Sequence, residues 1–164
     1  MNAPQRPLNI SIIGAGGIGS NTCVLLVNAL RNGVLAEQLG GIEFHLYDAD
    51  EVEEANLIHQ RFMPNQIGMA KVDALAETFD HIHSAVQVIP HSINLRNPIL
   101  LTDSDIVIVA VDRPEPRRIV HSLRDTEWYD SRCMGDFTLL LTDRTDAKMV
   151  DGLTPEHPPA SCQP

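Results

Sequence analysis

LNISIIGAGGIGSNTCVLLVNAL, residues 8–30, is the most telling stretch of this chain. Leu8 to Ile13 is a short, β-branched apolar run that glycines bring to an end. Beyond them Cys23, Leu26, Val27 and Leu30 recur at the helical period, so the stretch reads strand, turn, helix. Gly14, Gly16 and Gly19 fall as G-x-G-x-x-G between the two elements, with Gly17 inside the turn. Such spacing lets backbone approach a phosphate, and the helix N-terminus favours the phosphate's negative charge. Glycines required for a tight turn alone would give the same match, so the motif needs support from the rest of the chain.

The alternation of strand and helix continues on its C-terminal side. Gly40 and Gly41 reset the chain, and IEFHLYD, Ile42 to Asp48, alternates into a second strand. An irregular, acidic stretch then runs to Gly68, polar and long enough to carry function. Val72, Leu75, Ala76, Phe79 and Ile82 share one helical stripe, AVQVIP reads as a strand, and DIVIVAVD, Asp105 to Asp112, reads as a continuous buried one. Pro114 and Pro116 open a helix where their missing N–H groups cost little. TLLLTD, Thr138 to Asp143, is the last strand expected. This order predicts an α/β fold, a doubly wound, mostly parallel Rossmann-like sheet with helices on both faces and ligands at the carboxyl ends of the strands. Residues 1–145 are expected to form the nucleotide-binding domain, and residues 146–164 a proline-rich tail without a core of its own.

Composition narrows the partners. The 164 residues suffice for about one domain. Twelve Lys and Arg stand against 22 Asp and Glu, a formal charge of -10 and a pI near 5.0. That balance opposes the counterion release on which nucleic-acid binding depends, so no nucleic-acid partner is expected. No stretch approaches the roughly 18 apolar residues of a membrane span, and the expected location is cytoplasmic, with no membrane partner. Cys23, Cys133 and Cys162 form no C-x-x-C pair, which leaves neither a disulfide framework nor a zinc knuckle. Cys23 lies on the apolar helical stripe and reads as core. His81 and His83 lack a third ligand at a suitable spacing and read as surface residues.

Four motifs in sequence make a joint pattern: GAGGIGS from Gly14, DADEVEEANLIHQRF from Asp48, GMAKV ending at Val72, and VIVAVD ending at Asp112. An NAD site places its ribose acid about 20 residues past the glycines. Asp48 comes later than that, and an extension before the second strand absorbs the difference. The residues beyond Asp48 argue against a dinucleotide more strongly. Asp48, Asp50, Val52, Asn56, Leu57 and Gln60, then Gly68 and Lys71, then Asp112 and Arg117, give a pattern that resembles the ThiF/MoeB-type adenylyltransferases of the ubiquitin-activating-enzyme superfamily. The resemblance is dense from Leu8 to about Asp112. The extension before the second strand and the PPASCQP ending look most similar to the ThiF-like proteins of the bacterial PRTRC genetic system, of which this would be a shortened member.

The resemblance implies an ATP-dependent adenylyltransferase acting on the C-terminal glycine carboxylate of a small ubiquitin-like or sulfur-carrier protein. Two negative groups meet in that reaction, so cations on the phosphates and a magnesium ion are the natural catalysts. It implies that Gly14, Gly16, Gly17 and Gly19 cradle ATP, that Asp48 or Asp50 binds ribose, and that Asn56, Gln60 and Lys71 complete the nucleotide site. Arg61, Lys71 and Asp112 would carry the chemistry, with Asp112 holding Mg2+. It also implies a homodimer in which a cation from the partner chain nears the phosphates, and Arg6 is the one N-terminal Arg for that role. Two positions depart from the pattern. His59 stands where the family has Arg, with Arg61 just past the Gln, and a neutral imidazole does not replace a guanidinium on phosphate. Arg113 replaces the Asn that comes directly after the Asp. Cys133 and Cys162 lie in the region from which family members draw an acyl-accepting thiol, though neither stands in a recognisable motif. A catalytically weak nucleotide-binding scaffold and an NAD-linked oxidoreductase remain as alternative functions.

Overall fold

In the computed structural model, which describes residues 6–31, 34–79, 85–134 and 136–154, the apolar runs form six strands. They are β1 (Leu8–Ile13), β2 (Ile42–Tyr47), β3 (Val86–His91), β4 (Ile106–Val109), β5 (Glu127–Met134) and β6 (Phe137–Thr142). One sheet results, in the order β3-β2-β1-β4-β5-β6, parallel except where β6 runs antiparallel to β5. The chain winds outward from β1 to β3, then returns to the other side of β1 to place β4. That reversal opens a crevice at the carboxyl ends of β1 and β4, where ligands of such sheets bind.

Side-chain alternation along the strands fills both faces. Ile10, Ile12, Phe44 and Leu46 point to one face, where they pack with Cys23 and Val27 of α1 (Gly17–Leu30) and with Val72 and Leu75 of α3 (Lys71–Glu77). The short helix α2 (Val34–Gln38) adds Ala36 to this layer. Ile13, Tyr47, Val107 and Val109 point the other way and pack with Val120 of α4 (Pro114–His121), Trp128 and Leu141. The doubly wound α/β fold expected from the sequence is therefore the one observed. Cys23 is fully buried, as its place on the stripe implies, and burial pushes its thiol up to about 12.

Several elements differ from expectation. Helix α1 begins at Gly17 rather than after Gly19, because Gly19 must pack inside the helix against the turn. Strand β4 stops at Val109, so residues 110–112 leave the sheet and form part of the crevice. Strand β5 has no counterpart among the expected strands: its sequence, EWYDSRCM, mixes charge with aromatics and shows no apolar alternation. Past residue 146, α5 (Ala147–Gly152) sets Val150 into the second core layer, and Thr154 is buried. Packing thus continues through the start of the segment expected to be a tail. His81, His83 and Cys162 lie outside the described residues. Among the described residues no helix is long and apolar enough to cross a membrane.

The second core layer contains a buried ionic cluster that ties α4, β5 and α5 together. Asp130 is fully buried and accepts from Arg117, from Arg132 Nε at 3.0 Å and Nη2 at 2.5 Å, and from His121 Nε2 at 2.9 Å. Arg132 also donates to the Leu153 carbonyl and, at 2.9 Å, to Thr154 Oγ1. One carboxylate already faces two guanidiniums, so a third cation is unwelcome. Burial first, then the charges of Arg132 and Arg117, lower the His121 pKa to about 4, with Asp151 opposing. His121 is neutral at pH 7, donating its Nε2 proton to Asp130 while its ring tilts over Trp128 at 4.7 Å.

A histidine whose folded pKa is depressed contributes stability that is full above its unfolded value and lost as pH falls through the folded one. Stability should therefore decline between about pH 6.5 and about pH 4, with His121 supplying a slope of up to about 1.4 kcal/mol per pH unit. Urea midpoints measured across that range should show the decline in the native chain and a shallower one in His121→Gln. Equal slopes would rule out this assignment.

Candidate functional site

The site is built where the ladder brings four strand ends side by side. Gly14 N–H donates to the Tyr47 carbonyl at 2.8 Å, Ala110 N–H to the Ile13 carbonyl at 2.8 Å, and Asp48 N–H to the His91 carbonyl at 3.3 Å. The glycine turn lies at the centre. Gly14 has φ +96°, and a Cβ there would stand 2.7 Å from the Ala110 oxygen and 2.8 Å from Val111 Cγ1. At Gly19 a Cβ would meet the Gly14 oxygen at 1.8 Å. Both positions thus exclude any side chain. Gly16, the residue preceding α1, faces open space, with nothing within 4 Å of an added Cβ. The turn is sealed toward the sheet and open toward solvent, where the first N–H groups of α1 offer an anion site.

The acidic loop folds over this turn and is fastened to it by named bonds. Asp48 accepts Ala15 N–H on Oδ2 at 2.6 Å and Asp50 N–H on Oδ1 at 2.9 Å, stitching the end of β2 to the glycines. Asn56 Oδ1 accepts Glu53 N–H at 2.9 Å and shapes a short 3-10 turn, Glu54–Ile58. Asn21 Nδ2 donates to Gly17 at 2.7 Å and to His59 at 3.4 Å, both through their carbonyls. Arg61 donates from Nε to Asn21 Oδ1 at 2.6 Å and from its backbone to Ser20 Oγ at 3.2 Å. Gln60 Oε1 is buried without a hydrogen-bond partner.

Lys71 is 7% exposed at the start of α3, and its ammonium lies 3.4 Å from Asp50 Oδ2. A buried lysine needs such a partner, and Asp50, mostly exposed, is free to exchange it for another anion. Asp112 is exposed in the turn after β4, two residues past the Ala110 oxygen that Gly14 abuts. Burial, and then the charge of Arg132, lower the Arg117 pKa to about 10, while the charge of Asp112 works in the opposite direction.

Gly14, Gly16, Gly17, Gly19, Asp48, Asp50, Asn56, Gln60, Arg61 and Lys71 thus belong to one connected loop system at the strand ends, and Asp112 follows Ala110 and Val111, the residues against which Gly14 packs. Arg6 does not. Its guanidinium pairs with Asp105 at 2.5 Å and 2.9 Å, ahead of β4 at the opposite end of the sheet. Cys133 is exposed on β5, outside the loop system. Ser20 and Asn21 are site residues that sequence reasoning misses, although two polar residues directly after the last glycine are a usable signal. Among the described residues no group of three or more His, Cys, Asp or Glu could hold a metal ion.

Residues 6–138 match the ThiF family, most of the chain, and the chain belongs to that family. It is 29% identical over 144 residues to ubiquitin-like modifier-activating enzyme 5 of Drosophila ananassae, covering 77% of this chain and 34% of that protein. The chain spans about a third of the length of the curated relatives it matches. Among solved structures, E. coli MccB with AMPCPP and MccA superposes with a TM-score of 0.64 at 22% identity, over 81% of this chain and 39% of MccB. E. coli MccB with ATP gives 0.61 at 24% identity, over 79% and 38%.

Gly14→Ala and Gly19→Ala should each destabilise the chain by about 1–3 kcal/mol or more, because backbone itself blocks the new Cβ. Gly16→Ala should stay within about 0.5 kcal/mol of the native chain. Thermal unfolding of the three variants checks this, and equal losses at all three positions would contradict the sealed-and-open turn.

Proposed function

We propose that the chain is an ATP-dependent adenylyltransferase that activates the C-terminal carboxylate of a small ubiquitin-like or sulfur-carrier protein. Family membership and the likeness to ubiquitin-like modifier-activating enzymes support adenylyl transfer. The observation that carries the reading is Lys71, a nearly buried ammonium held beside Asp50, which Asp48 in turn ties to Ala15 of the glycine turn. In this reading the carrier carboxylate attacks the α-phosphorus of ATP, an acyl-adenylate forms and pyrophosphate leaves. Lys71 turns from Asp50 to the phosphates and offsets the charge that accumulates there. Arg61 offers a second cation, and Asn56 has its amide nitrogen available while its oxygen shapes the loop. Asp48 or Asp50 would bind the ribose, and the unbonded Gln60 oxygen awaits a donor from the nucleotide.

Magnesium fits this donor set. It binds nucleotides through one or two carboxylates with the phosphates and water filling the remaining positions, so Asp112 alone suffices from the protein. Bound there, the ion would neutralise phosphate charge as a Lewis acid. The proposal includes a homodimer in which a cation from the partner chain nears the phosphates, a role for which the exposed Arg6, paired with Asp105 within its own chain, is the N-terminal candidate.

A second reading, a nucleotide-binding scaffold, draws on His59, which meets the site through its carbonyl while its exposed ring stands where the family has Arg. Pyrophosphate exchange separates the two. Label should pass from pyrophosphate into ATP in the presence of a glycine-ended carrier, Lys71→Ala should slow it by about 100-fold or more, and His59→Arg should accelerate it. ATP binding without exchange favours the scaffold, and NAD binding tighter than ATP removes both.

A further inference from the structure

Arg117 links the buried cluster to the nucleotide crevice. One arm of its guanidinium donates to Asp130 and the other to the carbonyl of Val111, the peptide that leads directly into Asp112. Strand β4 has ended at Val109, so no ladder bond holds this peptide. Three elements fix the guanidinium that does. Arg117 grows from α4, its partner Asp130 sits on β5, and Arg132 locks Asp130 in turn to Leu153 and Thr154 at the end of α5. Arg117, Asp130, Arg132 and Thr154 are residues at most 9% exposed.

We infer that Arg117 is a positioning residue for the nucleotide site: anchored on Asp130, it fixes the peptide between Val111 and Asp112 and so sets where the Asp112 carboxylate meets a nucleotide-bound cation. This rests on the adenylyltransferase reading. A planar fork holds its two arms in fixed directions toward acceptors on different elements, which the rotatable donors of an ammonium on a flexible stem do not. Arg132 provides an internal contrast. It bonds the same carboxylate and is equally buried, but its other bonds run to α5 and away from the crevice.

The test is ATP affinity of the full chain by titration calorimetry, once with magnesium chloride and once with EDTA, alongside urea unfolding. Arg117→Lys should lose about tenfold of the affinity that magnesium adds while keeping metal-free affinity within about twofold. Arg132→Lys, with a similar loss of stability, should keep the magnesium gain. Equal behaviour of the two variants, or a full magnesium gain in Arg117→Lys, overturns the inference. Should Arg117→Lys fail to fold, Arg117→Gln leaves the Asp130 carboxylate paired one to one with Arg132 and should show the same tenfold loss, whereas a retained gain overturns the inference. A native chain without a magnesium gain, or an Asp112→Ala variant that keeps one, defeats the underlying reading instead, and the inference falls with it.

Discussion

The carbonyl of Gly14 and the α-carbon of Gly19 approach so closely that no methyl group fits between them. That contact brings α1 down onto the end of β1, and Gly14 in turn abuts the Ala110 oxygen where β4 ends. Helix, central strand and returning strand therefore meet at one point, and every other part of the site is measured from it. Asp48 reaches it through Ala15 N–H, and Arg61 through Ser20 and Asn21. A chain that must bring backbone this close has only glycine for the two positions, which is why the motif is a constraint on packing before it is a device for phosphate.

Electrostatics in this acidic molecule are distributed unevenly. A net charge of -10 stays with residues that water can solvate, such as Glu51, Glu53 and Glu54. The interior holds the opposite balance, Asp130 against Arg117 and Arg132, with His121 kept neutral. Removing one partner from such a group leaves an uncompensated charge in low dielectric, which costs more than the intact group contributes. The cluster therefore specifies how α4, β5 and α5 dock more than it adds to stability.

Much of the fold is legible in local pattern. β1, β2 and β3 are short β-branched or alternating runs bounded by turn residues, and α1 and α3 repeat apolar residues at the helical period, so period alone identifies them. β5 hides because its inward residues include Asp130 and Arg132, whose polarity is satisfied only by partners on other elements. α5 hides for want of length: six residues contribute a single buried side chain, Val150. In the site, the glycines and Lys71 are legible because their spacing carries the chemistry. That Asp48 binds backbone, that Arg61 rests on Asn21, and that Arg6 pairs at the far end of the sheet all depend on tertiary approach.

The pairing of β1 with β4 has a consequence in time. The bond from Asn9 N–H to Asp105, at the base of these strands, spans 96 residues of chain. Closing so long a loop is entropically expensive and slow compared with forming the neighbouring β1–α1 unit. During synthesis the glycine turn emerges early, yet its floor, Ala110 and Val111, is made much later. Until then the turn lacks the backbone it must press against, so the site is complete only when the second half of the sheet docks.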